Sequence, residues 1–345
     1  MIYFQCDYAE GAHPKIIEAL VKTNFEQTVG YGMDGHCARA AELIKKAVGA
    51  PDARVHFVSG GTQANQIVIA SVLKPHQGAV CADTGHINCH ETGAVEATGH
   101  KVIALPNVNG KLEAEALRKY LANFWADDTH EHIVEPGMVY ISSPTEIGTV
   151  YSKAELEAVS AVCREYEIPL FLDGARLGYG MAAPGNDVTL EDLAKLTDVF
   201  YIGGTKCGAL FGEAVVFCGS KKLDSYFRPM IKQHGAMLAK GRLLGIQFEV
   251  LFADGLYEEI TRNAVALAMR IRDAFAKKGC KFMVESPTNQ QFPILPRAMI
   301  EALSKDFAFM VWPDNGEAEI PTRFCTSWAT TEEQVDTLIK AIEAL

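Results

Sequence analysis

Along the chain, short uninterrupted apolar runs alternate with stretches whose apolar residues recur at helical spacing. Two of the runs, Val199–Ile202 and Ala214–Phe217, carry no charge and have glycines close by. Continuous runs of this length, rich in β-branched and aromatic residues, predict strands buried on both faces. The same pattern predicts strands at Val55–Val58, Ala79–Cys81, Val102–Leu105, Val139–Ser142 and Pro169–Leu172. Helical spacing predicts a helix starting at Pro14 (apolar Ile17, Leu20, Val21), and others over Ala38–Val48, up to Leu73, and over Leu112–Phe124 and Lys153–Glu167. Strands alternating with helices predict an α/β fold, with a mostly parallel sheet covered by helices. Ligands of such sheets sit beyond the carboxyl ends of the strands.

After Phe217 the pattern changes. Helices are expected over Lys221–Phe227, Ala239–Leu256 and Thr261–Lys278, and a closing one over Thr331–Leu345. Between them Lys281–Val284, Gln291–Ile294, Phe307–Val311 and Arg323–Ser327 predict a small sheet. The change places a boundary near residue 250: an N-terminal arm and large domain over 1–250, and a smaller C-terminal α+β domain over 251–345.

Composition narrows the function classes. The chain has 345 residues, 48% hydrophobic and 22% charged, enough to bury a sizeable core. Its net charge of −11 argues against a nucleic-acid or anionic-membrane surface. The nine cysteines form no Cys-x-x-Cys pair, which suggests reduced, buried thiols. Residues 1–20 resemble no signal peptide, and no apolar run approaches the roughly 18 residues of a membrane span. A cytoplasmic location is expected.

Four stretches carry candidate chemistry. Gly203-Gly-Thr-Lys206-Cys-Gly208 joins the two buried runs described first. A lysine between buried strands loses hydration, which favours the neutral, nucleophilic amine that can condense with a carbonyl. Taken alone, Lys206 could equally be a solvated hairpin lysine. Ser59-Gly-Gly-Thr-Gln-Ala-Asn65 passes from a strand into a helix, where Gly60, Gly61 and Thr62 offer backbone amides and a hydroxyl to a phosphate. An ordinary helix cap explains that stretch as well. Leu170-Phe-Leu-Asp173-Gly-Ala-Arg176 sets a carboxylate at the end of an apolar strand, where it needs a cation or several donors. It reads either as a local Asp–Arg turn or as the partner of a protonated ring nitrogen, the arrangement that pyridoxal phosphate requires. In His86-Ile-Asn-Cys-His90-Glu91 the two histidines could share a helix face, but no third metal ligand is evident. A ring-stacking role for His86 is the better reading, and no metal is expected.

Taken together, these stretches resemble the threonine aldolase and β-eliminating lyase group of fold-type I pyridoxal-phosphate enzymes, which are aspartate-aminotransferase-like. The resemblance spans nearly the whole chain and is strongest in Gly61–Asn65, His86 with Glu91, Asp173–Arg176 and Lys206. It implies a pyridoxal 5′-phosphate cofactor with Lys206 as the Schiff-base lysine and Asp173 on the ring nitrogen. It further implies His86 stacked on the ring, and Gly60, Gly61, Thr62, Thr205 and Lys240 among the cofactor contacts. Arg176 and Arg323 match arginines that recognise the substrate carboxylate, a task suited to a bidentate guanidinium. Tyr31 and Cys6 fall in segments that border the substrate.

The implied activity is cleavage of a β-hydroxy-α-amino acid into glycine and an aldehyde. A β-eliminating lyase, an aminotransferase and a cofactor-binding scaffold are the alternatives. The group's architecture implies a homodimer or homotetramer with sites at subunit interfaces, reached by Tyr31 and by Lys240 or Arg242 of a neighbour. Two stretches depart from the group. The arm reads Gln5-Cys6-Asp7-Tyr8 in place of an Arg-Ser-Asp-Thr type run. Glu146 stands where the group offers a histidine beside the substrate's β-substituent. Glu146 is expected either to face that substituent as a base or to pair with an arginine and hold its loop. Burial would raise its pKa and nearby arginines would lower it.

Overall fold

The buried runs become one sheet in the computed structural model, which describes residues 1–313 and 316–345. The chain opens with a two-residue strand, β1 (Ile2–Tyr3). Seven more strands follow: β2 (Arg54–Val58), β3 (Gln77–Ala82), β4 (Lys101–Leu105), β5 (Glu135–Ser142), β6 (Leu170–Asp173), β7 (Val199–Gly203) and β8 (Glu213–Phe217). They lie in the order β2-β8-β7-β6-β5-β3-β4. β8 runs antiparallel to both of its neighbours, and the remaining pairs are parallel. A mostly parallel sheet is thus what forms.

Both faces of the sheet are covered. Alternate residues feed two apolar layers, so Phe200, Ile202, Leu170 and Leu172 enter one core. Val199, Tyr201, Phe171 and Tyr140 enter the other, against the helix Gly61–Val72. Two-sided burial explains why these strands read as continuous rather than alternating apolar runs.

The C-terminal part holds a smaller antiparallel sheet built around Glu319–Cys325, with Gln290–Gln291, Pro293–Pro296 and Lys281–Phe282. β1 pairs in parallel with Phe307–Ala308, and Phe4 packs with Phe307 and Phe324, which anchors the arm there.

Several boundaries move. Lys221–Phe227, expected as a helix, consists of turns up to Tyr226, and the helix runs over Phe227–Gln233. Asp224 is engaged by Arg54 from β2, and Pro229 fits only the first helical turn, so the helix starts late. Ala239–Leu256 ends early, at Ala253, because Gly255 takes a φ of 71° and a new helix, Leu256–Lys277, begins after it. Phe307–Val311 divides into two short strands that pair with different partners. The short helices Leu177–Met181, Leu190–Leu196 and Arg297–Leu303 were not expected from the pattern.

Candidate active site

The carboxyl ends of β2, β5, β6 and β7 and the start of β8 open onto one cleft of about 220 Å³. Ser59, Gly60, Gly61, Thr62, His86, Glu146, Asp173, Arg176, Thr205, Lys206 and Glu213 all line it. Close backbone approach makes this possible. A Cβ on Gly174 would stand 2.0 Å from the Tyr201 carbonyl oxygen, and one on Gly203 would stand 2.2 Å from that of Ala175. Only glycine lets the ends of β6 and β7 draw together and bring Asp173 beside the Lys206 loop.

Asp173 is 5% exposed, and four donors satisfy it. Tyr140 Oη (2.6 Å) and Asn65 Nδ2 (3.0 Å) donate to Oδ2. Tyr201 Oη and the Ala175 N–H donate to Oδ1. Burial alone would raise its pKa. The charge of His86 and the donors outweigh burial and hold the carboxyl below its usual range, so it is ionised. Strand pleating explains the geometry, since Tyr140 and Tyr201 project on the Phe171 side from the strands flanking β6.

Asn65 links this carboxylate to a second one. Its Nδ2 also donates to Glu91 Oε1 (2.7 Å), the oxygen that contacts His86 Nδ1 at 2.7 Å. Burial depresses the His86 pKa, but the Glu91 hydrogen bond and the Asp173 charge outweigh it and the net direction is upward. Glu91 thereby fixes the ring plane of His86.

The Lys206 side-chain amine makes no hydrogen bond or ion pair among the described residues, while the backbone carbonyl of Lys206 accepts from Tyr179 Oη (2.6 Å). Burial and the Arg176 charge lower its pKa, and Asp7, Asp173 and Glu213 only partly offset them. Arg176 is held by Asp7 through Nε–Oδ2 (2.6 Å) and Nη2–Oδ1 (3.0 Å), and Asn289 Nδ2 adds a donor to Oδ2 at 2.9 Å.

Glu146 pairs with no arginine among the described residues, so its expected arginine-paired role does not form. Ser142 Oγ (2.6 Å) and the His86 N–H (2.9 Å) both donate to its Oε1. Burial, only partly countered by Ser142, raises its pKa.

Other predicted residues lie outside the cleft. The Tyr31 N–H donates to Ala239 O (3.1 Å), Arg228 Nη2 donates to Tyr31 O (3.0 Å), and Lys240 is exposed next door. Tyr31 borders a separate cavity of about 260 Å³. Cys6 sits half-buried in the arm, and Arg323 donates to Gln5 O (3.1 Å) and Gln290 Oε1 (3.3 Å). The Arg323 Nε is buried and unpaired. Asp7, Asn65, Tyr140, Tyr201 and Glu213 join the site without having been singled out from the sequence. For the two tyrosines, the need of a buried Asp173 for donors was the available signal.

The donor set suits pyridoxal 5′-phosphate. The helix Gly61–Val72 begins at Gly60 with no side-chain cap, which leaves its first N–H groups for a phosphate. An unpaired lysine amine and an ionised carboxylate complete the set. Fold and site together define a pyridoxal-phosphate-dependent enzyme of fold type I. The aspartate aminotransferase of Thermus thermophilus shares the fold, with a TM-score of 0.73 at 17% identity over 100% of this chain and 92% of that one.

Residues 4–294 match the beta-eliminating lyase family, and the chain belongs to it. It is 31% identical to a low specificity L-threonine aldolase of Pseudomonas sp. (strain NCIMB 10558), over 99% of this chain and 97% of the relative. A threonine aldolase structure from Leishmania major matches with a TM-score of 0.96 and 44% identity, covering 100% of this chain and 99% of that one.

Proposed function

We propose that this chain cleaves the Cα–Cβ bond of a β-hydroxy-α-amino acid, releasing glycine and an aldehyde. The observation that carries the reading is the unpaired Lys206 amine facing the same cleft as an ionised Asp173, in a chain whose similar proteins are threonine aldolases. When bound, pyridoxal phosphate supplies the electron sink for bond cleavage.

The protein's residues would supply everything else. The backbone amides after Gly60 and the Thr62 and Thr205 hydroxyls would hold the phosphate, Lys206 the aldehyde carbon, and Asp173 the protonated ring nitrogen. His86, with its plane set by Glu91, would cover the ring. Arg176 has one edge committed to Asp7, which leaves its Nη1 for the substrate carboxylate. Both side-chain and neighbouring donors to Glu146 fall on Oε1, which leaves Oε2 to take the β-hydroxyl proton. The raised pKa brings this carboxyl closer to operating pH than an exposed glutamate would be.

Incubation with L-threonine tests the reading. Glycine and acetaldehyde in equal amounts support it, whereas 2-oxobutyrate with ammonia would replace cleavage by elimination.

The same proposal includes a second copy of the chain. Ile17, Val21, Phe25, Val29, Tyr31 and Met33 are 43–94% exposed along one segment, an apolar surface of the kind that subunits cover. A dimer formed there would bring Tyr31 and Lys240 to a neighbour's cleft. Light scattering that gives a monomer mass would remove this part. The division into a cofactor-binding part over 1–250 and a smaller part over 251–345 belongs to the proposal as well, as does the cytoplasm as the place of action. No helix among the described residues is long and apolar enough to cross a membrane.

A further inference from the structure

One ionisable side chain of the cleft has no part in the reading above. Glu213 opens β8, the strand that runs antiparallel between β2 and β7. Its partners in register are Val58 on one side and Gly203 on the other. Val58 is the last residue before Ser59-Gly60-Gly61-Thr62, and Gly203 the last before Gly204-Thr205-Lys206. The register therefore holds one carboxyl where the phosphate-binding loop and the lysine loop meet.

This carboxyl is 3% exposed and has no ion pair among the described residues. The Gly204 N–H donates to its Oε2 at 3.0 Å. The titratable groups facing it are Lys206, Asp173, Tyr201, Cys207 and Tyr257. Apolar Leu244 and Phe248 close in behind Gly212 and Gly204. A buried carboxyl without a cation at hydrogen-bond distance is costly to ionise. Burial accordingly pushes it up to about 8, against the Thr205 hydroxyl, the Lys206 charge and the Gly204 N–H. Among the described residues, the cleft carboxyls of Glu146, Asp173 and Glu213 meet the cationic groups Lys206, Arg176 and His86, of which Arg176 is already occupied by Asp7 and His86 is engaged by Glu91. A phosphate dianion adds more negative charge.

We propose that Glu213 is the proton-holding group of this site: it keeps its proton into the alkaline range while a phosphate occupies the Ser59–Thr62 loop, and releases it to solvent on the alkaline side of neutrality once that loop is empty and the Lys206 amine is charged. Glu213 acts through its two neighbouring loops and is a positioning residue. The inference rests on the reading of the cleft as a pyridoxal-phosphate site.

The test titrates apoprotein with pyridoxal 5′-phosphate and, separately, with pyridoxal, at pH 7 and pH 9, following the visible band of the bound chromophore. Wild type is compared with Glu213→Gln, which keeps an acceptor for the Gly204 N–H but cannot titrate. The affinity ratio of wild type to variant for pyridoxal 5′-phosphate falls about tenfold between the two pH values, as expected for one linked proton. For pyridoxal the ratio falls several-fold less. A ratio independent of pH, or an equal fall for both ligands, overturns the proposal.

If the variant does not fold, calorimetry of wild type at pH 8.5 in two buffers of different ionisation heat replaces it. Loading with pyridoxal 5′-phosphate then takes up more protons than loading with pyridoxal, and equal uptake overturns the proposal. The two failures are separable: wild type without a visible band at any pH defeats the cofactor reading itself, whereas a band with flat ratios defeats only the role of Glu213.

Discussion

Asp173, buried, and Glu146, half-buried, are carboxyls of one cleft, yet their pKa values move in opposite directions. Burial is the largest influence on each and raises both. Asp173 receives two tyrosine hydroxyls, an amide and a backbone N–H over both of its oxygens, with the charge of His86 nearby. Glu146 receives its donors on a single oxygen. The difference teaches that the His86 charge together with the donors, rather than burial alone, decides which carboxyl stays charged at the ring nitrogen and which stays basic enough to accept a proton.

The comparison breaks most readily at Asp173. Asp173→Asn keeps the shape and removes the charge, and kcat/KM is expected to fall about 10²–10³-fold, the scale of one lost electrostatic partner in a dry site. Activity within tenfold of wild type would mean that the donors serve structure alone.

Donor counting also applies to Asp7, which is 0% exposed and tied to Arg176 and Asn289. Asp7→Ala leaves the Arg176 charge buried and is expected to cost about 3–5 kcal/mol in urea unfolding of the apoprotein. A cost under 1 kcal/mol would show that water replaces the carboxylate.

Tyr201→Phe sharpens the comparison by removing one of the donors to Asp173. A loss of about 1–3 kcal/mol is expected, with the acid limb of the stability curve moved to higher pH. The sign follows from linkage. Asp173 and Asp7 have lowered pKa values in the fold, so their stabilisation is present above the ordinary value of 3.8 and is lost as pH falls below it. Tyr201→Phe weakens that lowering at Asp173.

Glu213 has the opposite sign, rising from 4.5 to about 8 in the fold. Its contribution is full below pH 4.5 and is lost as pH climbs toward 8. Relative to wild type, Glu213→Gln apoprotein should therefore gain about 3–4 kcal/mol between pH 5 and pH 8.5. Urea unfolding at both pH values checks it, and equal differences at the two would contradict the assignment.

The central sheet was legible because its strands are buried on both faces and leave continuous apolar runs such as Val199–Ile202. Lys206, Asp173, His86 and the Gly60–Thr62 loop were legible for a related reason: polar residues at the ends of such runs sit where ligands bind. Glu213 escaped notice because its position depends on β8 being inserted antiparallel between β2 and β7, a pairing that local pattern does not encode. Asp7 escaped because the arm reaches Arg176 across 169 residues. Tyr140 and Tyr201 read as strand-interior aromatics, and only the pleat aims their hydroxyls at Asp173. The helix expected at Lys221–Phe227 failed where the tertiary pair of Asp224 with Arg54 outweighed spacing.

The most direct measurement of the whole account is borohydride reduction of the protein loaded with pyridoxal 5′-phosphate, followed by peptide mass mapping. The account predicts that the visible band bleaches and that one phosphopyridoxyl group is found on Lys206. A label on another lysine, or none at all, would contradict it.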